Sequence, residues 1–166
     1  DPVLSENYLR HPADFRTDYL LFDTFNPPFN DLNVRKAFAY AVDREAIVKN
    51  VYGEIKAMPA HAMLMPGFPD ADTTGELSEY QTYNCEKAKE HLAEAGFPNG
   101  EGFPALEMWM RNEAAAMASV YQATAASVSQ CLGISIEASN KDFKVYMDAL
   151  NAKPTQLAFG SISYGM

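Results

Sequence analysis

Basic residues are scarce in this chain: 13 Lys and Arg stand against 22 Asp and Glu, a net charge of −9. That balance argues against a nucleic-acid partner, because phosphate binding needs a basic face. Long apolar runs are also missing, and none approaches the roughly 18 residues that a membrane helix requires. There is no charged-then-apolar leader and no Met at position 1, so either a signal peptide has been removed or the chain is a piece of something longer. No Gly-x-Gly-x-x-Gly or phosphate loop occurs. The histidines His11, His61 and His91 show no metal spacing with one another. With only Cys85 and Cys131, two alternatives stand: one disulfide, suited to an oxidising compartment, or two buried thiols acting as small hydrophobes. Sequence cannot show whether the pair is within bonding reach, so both stay open.

What is present is a core. At 166 residues, 48% hydrophobic and 12% aromatic, the chain is most simply one domain that buries roughly 70% of its unfolded surface. Residues 1–16 lack periodicity and read as a tail or an incoming connection. Thr17–Asp23 reads as a strand, and the turn at Pro27-Pro28 follows, since proline has no ladder donor. Val34, Ala37, Phe38, Ala41 and Val42 make one helical stripe. Asp43 then caps a second helix, which carries Ile47, Val48 and Val51 inward and ends at Gly53. Glu54–Tyr83 is a long loop rich in Pro and Gly.

Asn84 caps a helix with Cys85, Ala88, Leu92 and Ala95 on one face, terminated at Gly96. Its exposed side carries His91, a solvated or partly packed residue. Ala105–Arg111 alternates as a strand. A long helix striped by Ala114, Met117, Ala118, Tyr121, Ala125, Val128 and Leu132 runs to Gly133, and Ile134–Ala138 alternates again. That βαβ unit predicts two parallel strands. Phe143, Tyr146, Met147 and Leu150 stripe a further helix, and Gln156–Ile162 supplies another strand. The sum is an α/β lobe.

Several segments in order resemble one family, the extracytoplasmic solute-binding proteins of peptide-type (oligopeptide, dipeptide, nickel) ABC importers. They are the turn Pro28-Phe29-Asn30-Asp31, the core Val34-Arg35-x-Ala37-x-x-x-Ala41-x-Asp43-Arg44, the run Tyr83–Gly100 and the segment Leu132-Gly133-Ile134-Ser135-Ile136-Glu137. Cys85 departs from the pattern, standing where a first-turn proline or small residue is usual. The resemblance covers residues 17–166 and implies a type II periplasmic-binding-protein-like lobe, a mixed sheet with helices on both faces. It implies the C-terminal lobe of a two-lobed protein, lacking its N-terminal lobe, with a periplasmic or lipid-anchored extracellular home. It further implies capture of a small solute, by default an oligopeptide, for delivery to a membrane permease, with no cofactor and no catalysis. Dipeptides, nickel complexes, haem or oligosaccharides are the alternative cargoes, and a stand-alone interaction module is the alternative class.

Open α/β sheets bind ligands outside the carboxyl ends of their strands, which nominates Arg111 and Asn112. Asn112 also falls at the family position for a polar residue near the peptide; its competing role is a helix cap. Relatives carry a Gly-Trp-x-x-Asp-Tyr type motif after the last strand, whose Asp pairs with the peptide's ammonium. Here Phe159-Gly160-Ser161-Ile162-Ser163-Tyr164-Gly165-Met166 offers Ser163 or Tyr164 in that acid's place in one register; in another, Tyr164 replaces the Trp. Three sharper readings carry less weight. Met58, His61, Met63 and Met65 imitate a cuprous-copper set but read as loop packing. Cys85 lies in a helix's first turn, yet it has no partner for hydrolysis. Trp109 could stack on a ligand, but a lone strand Trp reads as core.

Overall fold

The computed structural model describes residues 16–54, 57–64, 68–72, 75–111 and 115–165. The tail 1–15 lies outside the described residues. The first strand, β1 (Arg16–Phe22), opens one residue before the sequence reading placed it. After the Pro27-Pro28 turn comes α1 (Leu32–Ala41), whose first-turn amide of Asn33 donates to the Asp31 carboxylate. Val34, Ala37, Phe38 and Ala41 are fully buried and Val42 nearly so, as the stripe predicts; Tyr40 joins them.

Asp43 caps α2 (Arg44–Ile47), its carboxylate accepting from the Ala46 amide at 2.9 Å. The helix then widens into a π-helical turn, Val48–Tyr52, closed by the Gly53 amide donating to the Val48 carbonyl. That extra residue changes the helical phase. Val51, expected to point inward, is therefore 39% exposed.

The loop beyond carries a 3₁₀ segment, Glu76–Gln81, and leads to α3 (Cys85–Glu94), capped by the Asn84 side chain at the Lys87 amide. Gly96 follows at φ 93°, in the left-handed region open to glycine. Strand β2 (Leu106–Arg111) gives way to the long α4 (Ala115–Leu132). Where α4 ends, a side chain on Gly100 would meet the Leu132 and Gly133 carbonyls at 2.7 Å. The Pro98–Gly100 turn can close on the helix end for that reason.

Strand β3 (Ile136–Lys141) starts two residues later than the alternation suggested, and β4 (Phe159–Gly165) three residues later. Pairing partners set those limits: β4 matches the whole of β1, from Arg16↔Gly165 to Phe22↔Phe159. Helix α5 (Phe143–Asn151) lies between them. Its first residue, Phe143, is 56% exposed despite its place on the stripe.

The sheet order is β1-β4-β2-β3, with β2 parallel to β3 and β4, and β1 antiparallel to β4. It is a mixed sheet with helices on both faces. Leu20, Phe22, Met108, Met110 and Phe159 pack with residues of α1, α3 and α4. Leu21 and Trp109 pack on the other side with Tyr146, Ala149 and Leu157. Trp109 thus belongs to the smaller core, half-buried. On that side the buried Tyr146 hydroxyl donates to the Ser161 carbonyl at 2.9 Å. A methyl group on Gly160 would lie 2.9 Å from that hydroxyl oxygen.

Cys85 and Cys131 form a disulfide, with Cα atoms 5.6 Å apart, which decides between the two alternatives the sequence left open. The first turn of α3 lies beside the last turn of α4, a proximity created by packing and invisible in sequence. The bridge also removes Cys85 as a candidate nucleophile. It closes 46 residues of chain, so a loop-entropy argument assigns it about 4 kcal/mol. Cys85→Ser/Cys131→Ser should therefore lower the urea-unfolding free energy by about 3–4 kcal/mol, and reductant should then have no further effect. An unchanged unfolding curve in the double variant would show that the bridge contributes nothing to stability.

Candidate functional site

Because β2, β3 and β4 run in one direction, their carboxyl ends share one edge of the sheet, and the amino end of antiparallel β1 joins them. Arg111 closes β2 opposite Lys141, which closes β3. Ser163 stands in register with Asp18, and Tyr164 with Thr17. Three of the four sequence-nominated positions, Arg111, Ser163 and Tyr164, therefore lie along this edge. The fourth, Asn112, lies outside the described residues.

Sequence reasoning missed a polar cluster at the β1 end of this edge. The Asp18 carboxylate accepts from the Tyr52 hydroxyl at 3.3 Å and the Tyr121 hydroxyl at 3.4 Å, with Arg16 Nε at 3.7 Å. Arg16 Nη2 reaches the Tyr52 oxygen at 3.4 Å and the Met117 sulfur at 3.3 Å. Three elements build the cluster: β1, the π-helical turn and the first half of α4. Burial pulls the Arg16 pKa down, but the Asp18 carboxylate and the Tyr52 phenol outweigh it, and the net shift is upward. Burial, with the Asp18 charge, raises the Tyr52 phenol. One signal was available: Arg16 and Asp18 share the strand phase of Leu20 and Phe22, so two charges fall on a core-facing side.

The opposite face carries a second set. Glu107 accepts from Lys141 Nζ at 2.6 Å and from the Trp109 indole at 2.7 Å, while Lys141 sits 4.7 Å from the Trp109 ring centroid. The Arg111 guanidinium stands 5.9 Å over the exposed Phe143 ring. The Lys141 hydrogen bond, then those of Trp109 and Ser139, bring Glu107 from its ordinary 4.5 down to about 2.

Other candidates lie elsewhere. Met58 and Met63 are exposed, so they do not pack under the loop as expected, and Met65 lies outside the described residues. His61 faces Glu45 at 3.9 Å. His91 stacks on Tyr40, with 5.8 Å between ring centroids. Among the described residues no three His, Cys, Asp or Glu side chains gather as a metal site. No helix among them is long and apolar enough to cross a membrane. A cavity of about 420 Å³ lies between the π-helical turn and α4, lined by Asn50, Val51, Ser127 and Gln130. Another of about 440 Å³ lies by Pro28, Val34, Phe97 and Pro104, near the sheet's amino edge. Neither includes a residue of the carboxyl edge.

The depressed Glu107 fixes the sign of a pH effect. Its contribution to stability is complete above the unfolded value near 4.5 and is lost as pH falls through about 2. A carboxyl NMR titration should place Glu107 at about 2, and Lys141→Met should return it toward the ordinary carboxylate range. A wild-type midpoint near 4.5 would show that the Lys141 contact is not formed in solution.

Residues 3–166 match the family model described as bacterial extracellular solute-binding proteins, family 5 Middle. The chain is 32% identical over 142 residues to the oligopeptide-binding protein OppA of Bacillus subtilis, covering 82% of this chain and 25% of that protein. It is 42% identical over 82 residues to heme-binding protein A of Haemophilus influenzae, covering 49% of this chain and 14% of that protein. In fold it resembles the oligopeptide-binding protein AppA from Bacillus subtilis, solved in complex with a nonapeptide. There the TM-score is 0.76 at 19% identity, over 93% of this chain and 32% of that one. This chain thus spans about a quarter of the length of the B. subtilis OppA it matches. With the family model matched across nearly all of it, and a mixed sheet covered on both faces like that of its type II periplasmic-binding-protein neighbours, the chain belongs to the family 5 bacterial extracellular solute-binding proteins.

Proposed function

We propose that this chain is one lobe, the C-terminal of two, of a protein that captures a solute in an interlobe cleft and delivers it to the membrane permease of an ABC importer. Capture is reversible and involves no chemistry. The observation that carries this reading is the family match over residues 3–166, together with relatives and fold neighbours named for oligopeptide binding. Peptide is accordingly the first cargo. A periplasmic or surface-anchored home is supported by the Cys85–Cys131 disulfide, which persists in oxidising compartments.

In this reading the carboxyl edge faces the cleft, and Arg111, Asn112, Ser163 and Tyr164 contact the ligand there. The cavities elsewhere do not compete for the role, because a ligand held between two lobes needs only an open polar edge from each. Closure of the lobes buries the ligand, and the closed form is what the permease receives. A second cargo has an observation of its own: the heme-binding relative, at 42% identity over 82 residues, makes haem the alternative.

The test is a thermal-shift screen of the intact protein against di- to pentapeptides, with haemin, nickel chelates and oligosaccharides as comparison sets. A ligand that binds only the native state adds about 2.7 kcal/mol at a hundredfold excess over its Kd. Peptides should raise the midpoint, and solution scattering should show the protein contracting with the same peptides. A shift with haemin alone would transfer the reading to haem. Peptide binding with no contraction would remove the lobe-closure mechanism.

A further inference from the structure

We infer that Met58 and Met63 are sites of reversible oxidation, the methionines that a peroxide converts to sulfoxide while the fold stays intact. The oxidant has to reach the sulfur, so exposure sorts the candidates. Met58 is 63% exposed and Met63 45%. Met108 and Met110 are buried in the sheet, and Met147 packs against the smaller core. Met117 is half-buried, and its sulfur already accepts from Arg16 Nη2 at 3.3 Å, which engages a lone pair that would attack the oxidant. Among the described residues the two loop methionines therefore stand apart. Neither belongs to a hydrophobic core, so a change of polarity at either leaves the packing in place.

The sulfur lone pair attacks one oxygen of hydrogen peroxide and the O–O bond breaks. The departing hydroxide takes the proton of the transferred oxygen and leaves as water; sulfur gives up the two electrons that the peroxide gains. Reversal takes a thiol-dependent reductase, in which two thiols become a disulfide and the oxygen leaves as water. The place of Met63 gives the modification a consequence, which rests on the carboxyl edge being the ligand-facing edge. The Thr17 hydroxyl donates to the Met63 carbonyl at 3.0 Å, and Thr17 is buried near the start of β1, in register with Tyr164. The chain thus leaves the edge at Tyr52, which donates to Asp18, and returns to it at Met63. Oxidation there puts a polar, chiral side chain in place of a flexible apolar one at the rim of the cleft. An apolar side chain of the ligand loses that contact, and capture weakens.

The experiment treats the intact protein with hydrogen peroxide and follows each methionine by peptide mass spectrometry. Met58 and Met63 should oxidise about tenfold or more faster than Met108 and Met110, which react only when the core opens. Methionine sulfoxide reductases for both epimers, with their thiol reductant, should return Met58 and Met63 to the thioether. Calorimetry with trileucine should show the oxidised protein binding about threefold to tenfold more weakly than the untreated protein. Met63→Leu keeps an apolar side chain that peroxide cannot oxidise, and its affinity should be the same before and after treatment. Met58→Leu should lose affinity on treatment as the wild type does. Oxidation of Met108 or Met110 as fast as Met63, or no sulfoxide at Met58 and Met63, overturns the proposal and leaves the peptide reading standing. A loss of affinity that persists in Met63→Leu overturns the consequence assigned to Met63. If the untreated protein does not bind trileucine or any other peptide, the peptide reading falls and the mass spectrometry alone decides the oxidation sites.

Discussion

Four phenylalanine rings meet where the sheet, the proline turn and the first helix converge. Phe22 from β1 stacks on Phe159 from β4 at 5.5 Å between centroids. Phe38 from α1 meets both edge-on, at 5.8 and 5.7 Å. Phe29, from the turn, lies 4.6 Å from Phe22 and 5.1 Å from Phe38. Phe29, Phe38 and Phe159 are almost wholly buried, and losing such a ring costs about 3–5 kcal/mol. The arrangement also pins the β1–β4 register at its Phe22↔Phe159 end. A slip of one residue would turn every side chain of β1 over. It would bring Thr17 or Tyr19, depending on its direction, in place of Asp18 opposite Tyr52 and Tyr121. The polar edge at the far end of the same pair thus depends on the aromatic contact at this end.

From that fixed corner the helical layer builds outward. The Ser127 hydroxyl on α4 donates to the Ala41 carbonyl at 2.8 Å and accepts from the Asp43 amide at 3.0 Å, tying the α1–α2 corner to the long helix. The Asn84 amide donates to the Tyr40 carbonyl at 3.0 Å, and the disulfide then links α3 to the end of α4. These contacts hold α4 against the sheet so that Met117 and Tyr121 arrive beside Arg16 and Asp18. The carboxyl edge of the sheet carries mixed charge and aromatic hydroxyls on one face and, on the other, the Glu107–Lys141 ion pair to which the Trp109 indole donates.

Local chemistry was readable. The carboxylate of Asp43 and the amide of Asn84 each cap the helix they were expected to cap, because a cap bonds an amide two or three residues away. The stripe from Val34 to Val42 holds for the same reason: helical periodicity is a property of consecutive residues. Misplacements arise where a partner distant in sequence sets the answer. Strands β3 and β4 begin late because ladders end where neighbours end. Val51 turns outward because one π-helical turn shifts the phase. Phe143 stays exposed beneath a guanidinium from another strand.

The same division runs through the site. By itself the sequence determined the order of the main elements, the βαβ pairing, the family and, from strand direction, the placing of Arg111 at a strand end; Ser163 and Tyr164, expected just after a strand ending at Ile162, lie within β4. Only the tertiary structure decided that Cys85 meets Cys131, that Ser163 stands opposite Asp18, and that tyrosines from a widened turn and a distant helix share one carboxylate. Those are distances between residues 34 to 145 positions apart in the chain. Periodicity and capping act over a few residues, whereas packing of the whole core sets such distances.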